Sequence, residues 1–238
     1  HLGLNKKAKE ALVPAPEVLA GALGKEEYKE MHKAIRRDCI TLVKYKDRDV
    51  LPITPERYKR IMIVHVKGAE SGMGMLMKAM GMGGGKNPAE MLKERLCEKG
   101  FDAFIYESPL DAMKKQIAAG EKPNINLYFA GKNAIDDFVS GMDLVITLCD
   151  VSSGRPSFGL SKGGGEIPWY VFELPVVVIG CGQPTMLADV PQARTYINTY
   201  DAKPATFDAL VDDLMAGPDA FKGRDPIDSF CGLFDARL

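Results

Sequence analysis

Histidine and tryptophan are scarce in this chain, with three of the former and one of the latter in 238 residues. That scarcity narrows the chemistry. A Ser/His/Asp hydrolase needs a histidine placed beside a serine. Here His1 is terminal, His32 falls on a polar helical stretch, and His65 sits inside an apolar strand-like run, where a hydrogen-bonded core histidine is expected. No G-x-S-x-G nucleophile elbow occurs; Gly68-Ala-Glu-Ser71-Gly72 does not match it. The five cysteines, at positions 39, 97, 149, 181 and 231, form no C-x-x-C pair. An odd, dispersed set suggests neither a disulfide framework nor a zinc site. Buried free thiols are the expectation, which favours a reducing, cytoplasmic compartment. No charge sign is in excess. The formal net charge of −1 removes the electrostatic argument for nucleic acid or an anionic membrane as partner. No apolar run approaches the roughly 20 residues that a membrane-spanning helix needs.

Phosphate and metal signatures are missing too. Gly72-Met-Gly-Met-Leu-Met has a G-x-G but not the third glycine of a dinucleotide fingerprint, and no G-x-x-x-x-G-K-[ST] is present. The Gly- and Met-rich stretch 68–85 reads instead as a loop in which methionines fill irregular gaps. Asp136-Asp137 and Asp212-Asp213 are adjacent on helical stretches. Their side chains diverge by about 100°, so solvated helix faces explain them better than a shared ion. Neither a cofactor nor a metal is expected.

What is there is an ordinary globular composition, 46% hydrophobic and 26% charged, long enough to bury a full core. Residues 1–38 are polar and helical in character. They read as a linker and an edge helix carrying Tyr28, Met31, Ala34 and Ile35 at helical spacing. His1-Leu-Gly-Leu-Asn5 resembles a helix cut midway, so the natural chain is expected to begin earlier. Residues 39–238 alternate strands and helices. Strand candidates at 39–45, 61–66, 102–107, 143–149, 176–181 and 195–200 are rich in Val, Ile, Leu, Phe and Tyr. Helix candidates are 88–99, 109–119, 132–140 and 205–215. Pro88 suits a first helical position behind an Asn87 cap, and Gly100 a terminator. The alternation predicts a three-layer α/β/α sandwich around a mostly parallel sheet of about six strands.

Three loops, 68–85, 151–169 and 182–191, each follow a strand candidate. Ligand sites in open α/β sheets form at the carboxyl ends of strands. Glycosidic hydrolysis is the chemistry that composition leaves open, because it needs only two carboxyl groups in a sugar-sized cleft. The best-placed carboxylates are Glu166, beside three glycines, and Asp150 and Asp189 near strand ends. Arg155 and Lys162 are candidates to reach a substrate, with solvated loop charges as the alternative. Trp169 either stacks on a sugar face or plugs the core between loop and sheet, the commoner role.

Asp143-Leu-Val-Ile, Val151-Ser-Ser153, Gly163-Gly-Gly-Glu-Ile-Pro-Trp169, Thr195-Tyr-Ile-Asn198, and Phe221-Lys-Gly223 through Phe230-Cys-Gly232 together resemble the C-terminal α/β domain of glycoside hydrolase family 3. The similarity is strongest to the β-N-acetylhexosaminidase-like branch. It implies a retaining, cofactor-free enzyme for terminal N-acetyl-β-hexosaminides, whose partner domain is an N-terminal (β/α)8 barrel of the same polypeptide. In that branch the nucleophilic Asp and an Asp–His acid/base pair lie on the barrel, and none of those motifs occurs here. The isolated chain is therefore expected to be inactive, buttressing the barrel and closing the sugar cleft through residues 151–170. No segment matches the surroundings of the acid/base Glu that β-glucosidase-like members place in this domain, so Glu166 is a candidate by position alone. The rival reading is a stand-alone α/β binding module for a small sugar or a nucleotide.

Overall fold

The computed structural model describes residues 6–7, 15–47, 49–67, 87–107, 115–122, 140–151 and 174–227. The chain divides into two units, His1–Arg36 and Arg37–Leu238. The first holds α1 (Pro16–Ala22) and most of α2 (Glu26–Cys39). Pro16 takes the first helical position of α1, where its missing N–H costs nothing. Glu26 and Glu27 open α2 where the helix dipole favours negative charge. The expected helical spacing produces a helix, but its Tyr28, Met31 and Ile35 are exposed and neither helix contains a buried residue. Cys39 ends α2 and does not begin a strand.

The second unit is built on β1 (Thr41–Tyr45), β2 (Arg60–Lys67), β3 (Asp102–Ile105), β4 (Leu144–Asp150), β5 (Val176–Gly180) and β6 (Thr195–Asn198). They form one sheet in the order β1-β6-β5-β4-β2-β3. β1 runs antiparallel to β6, and every other pairing is parallel. All six predicted strands form. With β2 counted first, the parallel strands follow the doubly wound order 2-1-3-4-5. Parallel strands need crossovers, and crossovers cover the faces, so the central strands are apolar throughout. Leu144 through Cys149 in β4 are all fully buried.

One face of the sheet packs on two helices, α3 (Pro88–Glu98) and α4 (Pro204–Ala216). Ile61, Ile63, Ile146, Leu148 and Ile179 meet Leu92 and Leu96 of α3, and Phe207, Leu210 and Val211 of α4. Each such side chain, taken from water to full burial, contributes about 1.5–3 kcal/mol. The opposite face includes Cys149, Val178 and Tyr196, packed with Met186 and Leu187 of the 3₁₀ turn Pro184–Asp189. The helices expected between β3 and β4 lie largely outside the described residues; residues 115–118 are helical.

The helix ends are fixed locally. Asn87 Oδ1 accepts the Ala89 N–H at 3.1 Å, and Gly100, at φ +91°, turns the chain out of α3. At the start of α4 the Asp201 carboxylate accepts the Lys203 N–H at 3.3 Å and also the Thr206 hydroxyl. The two aspartates of α4 diverge as adjacent helical residues must, yet only one is solvated. Asp212 pairs with Lys99 at 2.6 Å on the surface. Asp213, expected on a solvated face, has a fully buried side chain. Its Oδ1 accepts from Arg37 Nε at 3.3 Å and Nη2 at 3.1 Å, while Oδ2 has no hydrogen-bond partner among the described residues.

Burial pushes the Asp213 carboxyl up from its ordinary value, against the pull of Arg37. A carboxyl whose folded pKa is raised is best tolerated in the folded protein when neutral, so stability falls as pH rises through that folded pKa. Asp213→Asn should therefore gain stability relative to the parent as pH rises from about 4 to about 7. Urea unfolding of both proteins at the two pH values checks this, and a pH-independent difference contradicts it. A second expectation concerns Gly223, whose N–H donates to Ile40 O at 3.1 Å. A Cβ there would lie 2.5 Å from Ile40 O and 2.6 Å from Cys39 O, both backbone atoms. Gly223→Ala should cost about 1–3 kcal/mol of overpacking, seen as a lower urea midpoint with an unchanged slope. An unchanged midpoint would refute the close approach.

Candidate functional site at the carboxyl edge of the sheet

The chain leaves β2 for β3 on one side and returns to β4 on the other. Strand order thus reverses between β2 and β4, and the carboxyl end of such a pair opens the crevice where α/β sheets place ligands. The expected loops 68–85 and 151–169 leave from these two strand ends, and loop 182–191 follows β5. Register sets which residues lie side by side at the crevice. His65 lies opposite Leu148, and Lys67 opposite Asp150. Alternation along a strand puts His65 and Asp150 on the same face as Ile63 and Leu148. His65 Nε2 stands 3.8 Å from Asp150 Oδ2. That is too far for a hydrogen bond. The His65 side chain is 6% exposed and that of Asp150 33%. Nε2 has no hydrogen-bond partner among the described residues, so that nitrogen does not show the hydrogen bond expected of a core histidine.

The next strand ends extend the polar edge. Burial pushes the Cys181 thiol up to about 12, a hydrogen bond with Thr199 pulls the other way, and the charges of Asp150 and Asp201 add to the rise. The Thr199 hydroxyl donates to Asp201 O at 2.8 Å and lies 3.3 Å from Gly180 O. Gly182 leaves no room for a side chain, since a Cβ would lie 2.6 Å from Val151 O. The exits of β4 and β5 are therefore held close together. Cys149 lies on the opposite face, where burial likewise raises its thiol.

Asp150 is the last residue of β4, at a strand end as expected. Asp189 instead closes the 3₁₀ turn that follows β5. Arg155, Lys162, Glu166 and Trp169 lie outside the described residues. The juxtaposition of His65 with Asp150 was missed from sequence. Its signal was available only through pairing: a histidine two residues before the end of one strand and an aspartate ending its parallel neighbour. Among the described residues, no group of three or more His, Cys, Asp or Glu side chains is arranged to hold a metal ion.

No protein-family model matches the chain. It is 28% identical over 242 aligned residues to a β-N-acetylglucosaminidase/β-glucosidase of Cellulomonas fimi, covering 100% of this chain and 37% of that protein. Among solved structures, it resembles a β-glucoside phosphorylase, BglX, at 27% identity and a TM-score of 0.68, over 98% of this chain and 37% of the other. A glycoside hydrolase family 3 β-N-acetylglucosaminidase from Paenibacillus sp. str. FPU-7 shares the fold at 15% identity and a TM-score of 0.51, over 86% of this chain and 33% of the other. The chain thus spans about a third of the length of these relatives. Its whole extent resembles the α/β C-terminal region of family 3 proteins.

The thiols provide a check on the edge as described. Cys39 and Cys97 are exposed, whereas Cys149 and Cys181 are buried. A thiol whose pKa is raised stays protonated and unreactive at neutral pH. Brief native alkylation at pH 7.5 with peptide mapping should label Cys39 and Cys97 and leave Cys149 and Cys181 intact. Rapid labelling of Cys181 would mean that the ends of β5 and β6 are open to solvent.

Proposed function

We propose that this chain is the second, α/β domain of a retaining glycosidase acting on terminal N-acetyl-β-hexosaminides, in a polypeptide whose barrel carries the nucleophile. The observation that carries the reading is the end-to-end similarity to the Cellulomonas fimi enzyme, over only 37% of that enzyme's length. Supporting it is a carboxyl edge that offers hydrogen-bonding groups without a phosphate fingerprint. The domain buttresses the barrel, and residues 151–170, with Arg155, Lys162, Glu166 and Trp169, close one wall of the sugar cleft. The relatives include a β-N-acetylglucosaminidase/β-glucosidase and a β-glucoside phosphorylase. A second reading follows: the glycosyl group passes to phosphate instead of water.

Catalysis by a carboxylate pair requires both groups within one cleft, about 5–5.5 Å apart in a retaining enzyme. The chain alone should therefore leave aryl N-acetyl-β-glucosaminides and aryl β-glucosides uncleaved. The barrel-bearing polypeptide should turn one of them over at about 1–1000 s⁻¹. Repeating the assay with and without inorganic phosphate, and identifying the product as free sugar or sugar 1-phosphate, separates the two readings. Enzymic turnover by the chain alone, abolished in Glu166→Gln, would overturn the division of labour. Removing residues 154–165 from the barrel-bearing polypeptide should raise KM or lower kcat while the sheet stays folded. Unchanged kinetics would assign the loop no part in the cleft.

A further inference from the structure

His65 is the one imidazole in the core of the sheet unit among the described residues, and it sits where strand order reverses. Its Nε2 is almost shielded from solvent and has no hydrogen-bond partner among the described residues. An unpaired polar atom in that setting is costly, so such groups usually face something that completes them. Asp150 stands 3.8 Å away with its carboxylate one-third exposed. An oxygen about 2.8 Å from each atom closes the gap, within ordinary hydrogen-bond geometry. To satisfy both, that oxygen must donate to the carboxylate and accept from the imidazole N–H. A hydroxyl does both.

Among the described residues, the chemistry weighs against other solutes. A phosphate would meet the Asp150 carboxylate, with the charge of Asp201 nearby, and gains no glycine fingerprint from the strand exit. A metal ion finds no third ligand among the described residues. An apolar group satisfies neither partner. A neutral polyol remains, and a sugar ring presents its hydroxyls on a rigid frame with little entropy to lose.

We infer that His65 and Asp150 form a sugar-hydroxyl site at the β2/β4 switch point, in which the carboxylate accepts from, and the imidazole donates to, one hydroxyl of the ring. This deepens the glycosidase reading by placing a substrate contact on the rigid sheet, outside the loop 151–170. The register makes the site stiff. Lys67 pairs with Asp150, and Val66 with Cys149, so the two strand ends cannot separate without breaking the ladder.

The test uses this chain, with its three histidines labelled with ¹⁵N in the ring. Titration with N-acetylglucosamine and with glucose, up to about 100 mM to reach weak millimolar affinities, should shift the His65 ring signals saturably. His32 should not move. Asp150→Asn should weaken the effect at least about tenfold, the worth of one hydrogen bond to a charged acceptor. No shift with either sugar overturns the proposal and leaves the gap to water. A shift with inorganic phosphate instead overturns the neutral-ligand assignment. Backbone amide shifts that saturate equally in His65→Gln also overturn it, because the sugar then binds elsewhere. The result is separable from the glycosidase reading: sugar binding at His65 without turnover by the barrel-bearing polypeptide sinks that reading alone, and turnover without a His65 shift sinks this one alone.

Discussion

The complete burial of β4 is the constraint on which the rest depends. Six successive residues, Leu144 to Cys149, lie out of contact with water. Their backbone groups can be satisfied only by strands on both sides, because an unpaired buried peptide group is too costly. β2 and β5 supply that pairing over seven and five registered positions. Their side chains alternate between two faces, so both faces need cover, and the crossovers that parallel strands require provide it. Parallel direction then brings the carboxyl ends of β2 to β6 to one edge. The fold creates the candidate site by collecting strand exits, not by any single motif.

Polarity appears where this burial ends. Val64, His65 and Val66 are only partly buried, in contrast to Ile61, Met62 and Ile63. Asp150 follows an unbroken apolar run, and Thr199 and Asp201 follow β6. The edge therefore combines two carboxylates, a hydroxyl and an imidazole, with Lys67 opposite Asp150 in register. Such a set suits hydrogen bonding to a neutral, hydroxylated ligand. It is also anchored, because Asp201 holds the start of α4 through Lys203 and Thr206. A wall of this kind is suited to orienting a substrate.

The strands were legible because each is a short apolar, β-branched run between turn residues, and pairing sharpened their ends in ways sequence does not display. β4 extends to Asp150, a poor strand former, because Lys67 lies opposite it. β6 stops at Asn198, and Tyr200 adopts φ +62°. Cys39 reads as strand by its neighbours but completes a helix begun at Glu26. Asp213 was misread because adjacent acidic residues look solvated, whereas its partner, Arg37, is 176 positions away. The approach of His65 to Asp150 was missed for the same reason: the two belong to different strands. Candidates in loop 151–169 came from residue type and resemblance, and the described residues do not reach them.

The central claim is that the functional face of this domain is the carboxyl edge at β2 and β4. The most direct measurement is a crystal structure of the proposed barrel-bearing polypeptide with N-acetylglucosamine bound. The account predicts a sugar hydroxyl within about 3.2 Å of Asp150 Oδ2 and of His65 Nε2, with the ring facing the strand exits. A sugar bound with the carboxyl edge turned away, touching neither residue, would contradict it.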